Sequence, residues 1–342
     1  MKRNTPSDEH WRALYNSAVE FAEIKPWEWM NDSKVFGVQN PQTGEIGYCC
    51  VLGELGEVMA LVVYLGTEGL MNYLDMHSGK IVPGDQETLF IQNCLMASFE
   101  DRRDIEKEDV SVIKKLGLKF RGEKAWPLFR RYEPGYVPWY LDRDEALYLT
   151  VALQQARDIC LRFGDSDSLL DPPKDGCYLV RVLETAGGSV VWEDKWLEPA
   201  HLKPNGRTES IVDEIRIQRI KGKALPAPAV WEADMFYLPS PVREGDKPFF
   251  PRVLMFADHH SGLLLDLHVT DFANSYSQIV ERLLAFIENN AVIPAEIQTQ
   301  SVELLQLIKS FASRLDIKTT ITKKLPQIAR AKNELIANMN RF

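Results

Sequence analysis

The sequence predicts an α+β protein built as two mixed α/β domains, and three observations carry that expectation. The chain's 342 residues exceed what one hydrophobic core usually organises. Its N-terminal half mixes amphipathic helical stretches with glycine-bounded apolar runs, the pattern of strands joined by tight turns. From Pro248 onward strands and helices alternate as β-β-α-β-α-β-α, which implies a mixed sheet with helices packed against it. The expected division is an N-terminal α+β domain over 1–170, a β-hairpin connector and linker over 171–245, and a C-terminal α/β domain over 246–342.

Between Ser7 and Ile24, the residues Trp11, Leu14, Tyr15, Ala18, Phe21 and Ala22 recur at intervals of three and four. They mark a helix with one buried stripe, Ser7 as its N-cap, and a break at Pro26. Gly47 to Gly66 reads as a hairpin turning at Glu54-Leu55-Gly56-Glu57, and Thr67 to Leu74 as a short helix after it. A further short helix is expected over Val110 to Leu116. The run AWPLFRRYEPGYVPWYLD holds three prolines and six aromatics, too broken for a central strand and too apolar for disorder, so an extended, packed connection is expected. Asp142 with Glu145 forms a capping box for a helix whose stripe runs from Leu149 to Phe163 and ends at Gly164.

The polar loop GDSDSLLDPPKDG after it is the expected domain boundary. Two β-rich runs around Gly187-Gly188 form a second hairpin, and a mixed, basic segment, 207–223, leads into ALPAPAV, read as a linker or edge strand. Then come the strand PRVLMFADH, the strand GLLLDLHV, a helix from Ser275, the strand AEIQTQ, a helix from Ser301 to Leu315, the strand IKTTIT and a last helix starting near Pro326.

Composition narrows the function classes. Apolar residues at 45% and charged residues at 26% are globular values, and no apolar run approaches the roughly 20 residues of a membrane helix. The N-terminus lacks the apolar core of a secretory signal, so a cytoplasmic protein with no membrane partner is expected. Five cysteines, Cys49, Cys50, Cys94, Cys160 and Cys177, are scattered without a CxxC pair, which suits reduced thiols rather than a disulfide frame or zinc ribbon. A net charge of −9 opposes nucleic-acid binding by the whole molecule. The last 25 residues, however, hold six cations against the single anion Glu334. Nucleotide chemistry and serine hydrolysis lack their usual support, since no GxGxxG, P-loop, GxSxG or HExxH occurs.

The stretches KPWEWM, NPQTGEIGYCCVLGELGE and YLGTEGL resemble an uncharacterised bacterial family. LLQLIKSFASRLDI and KKLPQI resemble the domain usually joined to it. That resemblance implies no activity. The order of C-terminal elements is also similar to the ribonuclease-H-like fold of nucleases, integrases and transposases. There, carboxylates on a strand, after the next strand and on the last helix hold divalent metal, each ion clamping one oxygen of an in-line displacement. The resemblance places Asp258 first and Glu334 third. At the second position the strand ends in Gln298, Thr299 and Gln300, neutral oxygens that hold hard cations weakly, so the fold is expected in a degenerate form.

The sharpest local candidate is ADHHSG, residues 257–262. A four-residue loop, His259 to Gly262, pairs Asp258 with Leu263 and gathers Leu254, Phe256, Leu263, Leu265 and Leu267 on one core face, leaving Asp266 and His268 opposite. A loop of three or five shifts the pairing and brings Asp258, Asp266 and His268 together, a set that Zn, Mn or Fe accepts. The apolar residues favour the even loop and a plain polar turn. Asp165, Asp167 and Asp171 carry part of a calcium-loop spacing, but Leu170 stands where glycine belongs and no closing Glu follows.

Trp27, Trp29, Trp126 and Trp139, with Arg130 and Arg131 nearby, could line a groove for a peptide or bases, although such residues more often bury in a core. The expected function is therefore a non-enzymatic cytoplasmic interaction protein with a protein partner and no resident cofactor. The rival is a metal-dependent nuclease or nucleic-acid-processing protein, with Asp258, Glu334, His260 and Asp266 about a divalent metal and Lys323, Lys324 and Arg330 of the basic C-terminus on phosphate.

Overall fold

The computed structural model describes all residues except 1–3, 80–85, 187–188, 202–213, 271–274 and 340–342. The chain divides into two units, Met1–Leu202 and Lys203–Phe342.

The first unit opens with helix α1 (Asp8–Glu23), where the Ser7 hydroxyl accepts from the His10 N–H and the His10 ring closes a reciprocal capping box. A single turn, Pro26–Glu28, breaks the direction as the proline requires. There follow β1 (Phe36–Gln39), β2 (Ile46–Leu52), β3 (Met59–Leu65), α2 (Gly66–His77), α3 (Gln86–Ile91), β4 (Cys94–Glu100), α4 (Lys107–Lys115) and β5 (Trp126–Tyr132). Helix α5 (Arg143–Asp165), with its Asp142–Glu145 capping box, then leads to the hairpin β6 (Tyr178–Ala186) and β7 (Ser189–Leu197). The sheet order is β5-β4-β3-β2-β1-β6-β7, with β1–β6 the parallel pair. Strand alternation sorts side chains between its faces. Cys49, Val51, Leu61 and Val63 meet α1 and α5, while Tyr48, Cys50, Ala60 and Val62 meet α2.

Two expectations fail in this unit. The proline-broken run from Ala125 is not a mere connection, because Trp126–Tyr132 is strand β5. It lies at the sheet edge, where Pro127 removes no obligatory ladder bond. The hairpin around Gly187-Gly188 forms as expected, although those two residues lie outside the described ones. It is not part of a separate connector, because β6 pairs with β1 and extends the first sheet.

The second unit holds α6 (Glu214–Lys223), β8 (Leu225–Tyr237), β9 (Arg252–Asp258), β10 (Leu264–Thr270), α7 (Ser275–Asn290), β11 (Val292–Thr299), α8 (Val302–Ala312), β12 (Lys318–Ile321) and α9 (Pro326–Met339). From β9 onward this is the predicted β-β-α-β-α-β-α order, in a mixed sheet ordered β10-β9-β8-β11-β12. Helices α6, α7 and α8 bury Ile217, Ile220, Leu283, Ile287, Leu307 and Phe311 on one face. Helix α9 covers the other through Leu325 and Ile328, against Phe236, Val253, Met255 and Ala257.

The stretch read as a linker or edge strand is β8, the middle strand of this sheet. Its prolines, Pro226 and Pro228, sit where β8 has β11 beside it but has not yet met β9, whose pairing starts at Trp231. The Leu225 N–H points toward β11, bonding the Ala291 carbonyl at 2.9 Å. The two prolines, one and three residues on, therefore face the open side, where no donor is needed.

Candidate functional site

The 257–262 turn is the four-residue loop that the apolar pattern favours. The Asp258 N–H donates to the Leu263 carbonyl and the Gly262 N–H to the Asp258 carbonyl, both at 2.9 Å. Gly262 has φ +70°, which a side chain rarely tolerates. Asp258 Oδ1 accepts from the Ser261 N–H and hydroxyl, each at 2.8 Å, and from the His260 N–H at 3.2 Å. The carboxylate thus folds its own turn, as Asp commonly does.

One residue later the register changes. Ala257 pairs with Leu264, but a bulge at Leu265 places Asp266 opposite Phe256 and His268 opposite Leu254. Asp258, Asp266 and His268 therefore share a face after all, the arrangement expected only of an odd loop. The apolar set divides accordingly. Leu265 joins Leu254 and Phe256, Leu267 packs with Val253 and Met255 on the far face, and Leu263 is exposed. On that shared face Arg282 of α7 holds both Asp266 oxygens at 2.6 and 2.8 Å.

The carboxyl of Asp258 is held below its ordinary range, chiefly by the Ser261 N–H and against the opposing effect of partial burial. Such a group adds stability that is fully present above its unfolded pKa, about 3.9, and lost as pH falls through the lower folded value. Thermal melts of wild type and Asp258→Asn should therefore differ by a constant gap from pH 6 to about pH 4, closing below it. A gap that widens under acid would contradict the assignment.

The charged group at the centre of this unit is Glu232, which sequence reasoning missed. It lies on β8 opposite Ala257 of β9 and Gln298 of β11, and it is fully buried. Its Oε2 accepts the Gln327 and Ile328 N–H groups of the first turn of α9, at 2.9 and 3.0 Å. Its Oε1 meets His259 Nδ1 at 2.6 Å. A buried carboxylate at a helix N-terminus satisfies orphan donors and interacts favourably with the positive end of the helix dipole at once. Two further bonds tie the loop to the same helix. Gln327 Nε2 donates to the His259 carbonyl at 3.1 Å, and Arg330 donates to the Gly262 carbonyl at 2.9 Å. One sequence signal pointed here: α9 begins Leu325-Pro326, so it has no capping side chain of its own and must borrow one.

The other candidates do not assemble around Asp258. Glu334 is exposed on α9, seven residues beyond Gln327 and so about 10 Å further along the helix. His260 is an exposed turn residue set edge-on to His259, with ring centroids 5.3 Å apart. Lys323 and Lys324 are exposed, whereas the Arg330 guanidinium is engaged with the turn. Among the described residues no three His, Cys, Asp or Glu side chains converge as a metal site would need. None of the described helices is long and apolar enough to cross a membrane.

In the first unit the four tryptophans part company. Trp27 is nearly buried beside Phe99, with centroids 5.3 Å apart. Trp29 is exposed and lies over Gly164. Trp126 carries the Arg102 guanidinium at 5.2 Å, and Trp139 bonds back to back with Arg131 on β5. Arg130 is held by Asp109, and Arg131 by Asn93 with Glu145. Of the four rings only Trp27 lines the substantial cavity nearby, an open groove of about 640 Å³ floored by Trp27, Met59, Phe99 and Phe120.

No curated protein matches the chain. Among solved structures, the catalytic core domain of BIV integrase is 14% identical over 32% of this chain and 68% of its own, with a TM-score of 0.25. The HTLV-2 integrase catalytic core domain in complex with magnesium, in its dimeric form, is 15% identical over 34% of this chain and 74% of its own, with a TM-score of 0.26. A chain of the simian T-cell lymphotropic virus intasome in complex with PP2A regulatory subunit B56 gamma is 17% identical over 34% of this chain, with a TM-score of 0.25, and the match spans only 42% of that chain. Two family profiles match the sequence. The domain of unknown function DUF6930 spans residues 216–336 and the domain of unknown function DUF7309 spans residues 11–181. The chain therefore belongs to the DUF7309 family and carries a DUF6930 domain after it.

Proposed function

We propose that the protein is a non-enzymatic cytoplasmic interaction protein, acting by holding a protein partner rather than by converting a substrate. The observation that carries this reading is the use already made of the carboxylates in the second unit. Metal-assisted phosphoryl chemistry needs carboxylate oxygens that converge and remain free to bind the ions. Here Glu232 gives both oxygens to α9 and His259, and Asp266 gives both to Arg282. Asp258 spends Oδ1 three times on its own turn. Freeing any of them would undo a hairpin, a strand–helix tie or a helix cap. A reducing compartment is supported by Cys49, Cys50, Cys94 and Cys160, buried and unbridged in the core.

The test is calorimetric titration of Mn²⁺ and Mg²⁺ into wild type and Asp258→Ala, with cleavage assays on single- and double-stranded DNA. We expect no binding that depends on Asp258 and no cleavage. Micromolar binding lost in the variant, together with cleavage lost in the same variant, would overturn the reading in favour of a nuclease.

A further inference from the structure

The groove of the first unit pairs an apolar floor with free cations on its rim. Three segments build it: the second half of α1 with the Pro26 turn, the loop between β2 and β3, and the loop 117–125. Trp27 is pressed against the β2–β3 loop, where a Cβ on Gly53 would stand 2.5 Å from the Trp27 Cβ. Only glycine permits that approach, so the ring position is built in rather than adventitious.

Lysines flank the floor in a conformation that costs energy. Lys25 and Lys124 adopt φ of +45° and +51°, two of the four left-handed non-glycine residues among those described. Such strain persists where the surroundings impose it, and it concentrates at binding sites. Lys124 is fixed further, its N–H on Asp101 and its ammonium on the Glu57 carbonyl, both at 2.9 Å.

The loop KFRGEK, 119–124, then adds Phe120 to the floor, flanked in sequence by Lys119 and Arg121. Both cations are exposed and make no hydrogen bond or ion pair among the described residues. Of the rim acids, Glu28 is neutralised by Lys25 at 3.1 Å, leaving Glu23 and Glu123 against Lys119, Arg121 and Lys124. In a chain of net charge −9 this rim is locally cationic.

We propose that this groove docks an acidic segment of a protein partner. One bulky apolar side chain of that segment enters over Trp27 and Phe120, while carboxylates beside it meet Lys119 and Arg121. A buried apolar anchor inside a charged, solvent-exposed ring is how interfaces concentrate affinity and specificity. The proposal rests on the interaction-protein reading and adds its site and its partner chemistry.

The test uses the full chain and three fluorescein-labelled nonapeptides, read by anisotropy. One peptide has a single tryptophan among glutamates and serines, the second has alanine for the tryptophan, and the third has lysines for the glutamates. The first should bind at roughly 10–100 μM and weaken with salt. The second and third, and the first peptide against Lys119→Glu/Arg121→Glu, should each bind at least tenfold more weakly. Both substituted side chains are exposed, so the variant keeps the fold. Equal binding of all three peptides, no binding of the first, or binding of anilinonaphthalene sulfonate alone would overturn the proposal. The metal and cleavage measurements decide the interaction reading separately, so the two failures are distinguishable.

Discussion

Glu232→Ala should cost the second unit about 3–5 kcal/mol, the usual consequence of removing one member of a buried, charge-assisted network. Three groups lose their partner together: the N–H groups of Gln327 and Ile328, and His259 Nδ1. A buried orphan donor alone costs about 1–3 kcal/mol, and of the three the Ile328 N–H is the fully buried one. Because α9 covers its face of the sheet chiefly through Leu325, Ile328 and Leu335, loosening its first turn also loosens that face. Hydrogen exchange is the direct measurement. Protection should fall at Gln327 and Ile328 first, then along β8 and β9, and remain unchanged in the first unit.

Glu232→Gln separates charge from shape. The amide oxygen can still accept from the helix, and its NH₂ can face an imidazole whose proton sits on the other nitrogen, so the loss should be about 1–2 kcal/mol, mostly the charge–dipole contribution. If glutamine is as damaging as alanine, the carboxylate's charge toward His259 dominates; if alanine is harmless, α9 does not depend on this cap.

That the central carboxylate escaped a reading of the sequence has the same cause as the misplacing of its strand. ALPAPAV looks like a linker because proline is normally excluded from an inner strand, yet here both prolines precede the point where the second neighbour joins. With ALPAPAV read as a linker, WEAD has no sheet face to point to, and Asp258 on β9 is the strand carboxylate that draws attention instead. Hairpin register was half legible. The four-residue loop is the one the apolar residues favour, but LLLDL holds three consecutive leucines and so offers no alternation to show which one is extruded. Residues with strong local signals fared better: the Ser7 and Asp142 caps, the stripe of α5 and the strand–helix alternation after β9 stand where periodicity put them. Grooves are the opposite case, since Trp27, Met59, Phe99 and Phe120 are brought together only by tertiary packing.

In the first unit the largest effect should come from Asp109→Ala, again about 3–5 kcal/mol. Asp109 on α4 takes both ends of the Arg130 guanidinium, at 3.0 and 2.7 Å, and the two residues are 9% and 8% exposed. Arg130 also donates to the Phe129 carbonyl at 2.8 Å and lies 4.5 Å over the Tyr140 ring. Without Asp109 the buried guanidinium keeps only Glu106 as a charged partner, at 3.1 Å and itself more than half exposed, which is poor compensation for a desolvated charge. The pair as a whole is a different matter, because two ions brought out of water repay little more than their own desolvation. Arg130→Met/Asp109→Leu should therefore lie within about 2 kcal/mol of wild type, well above the Asp109→Ala single variant. Seven of the eight tryptophans belong to the first unit, so urea unfolding followed by tryptophan fluorescence reports this unit almost selectively. A double variant as unstable as the single one would mean that the ion pair holds α4 on β5 through geometry that apolar side chains cannot replace. Recovery in the double variant would place the cost in the orphaned charge.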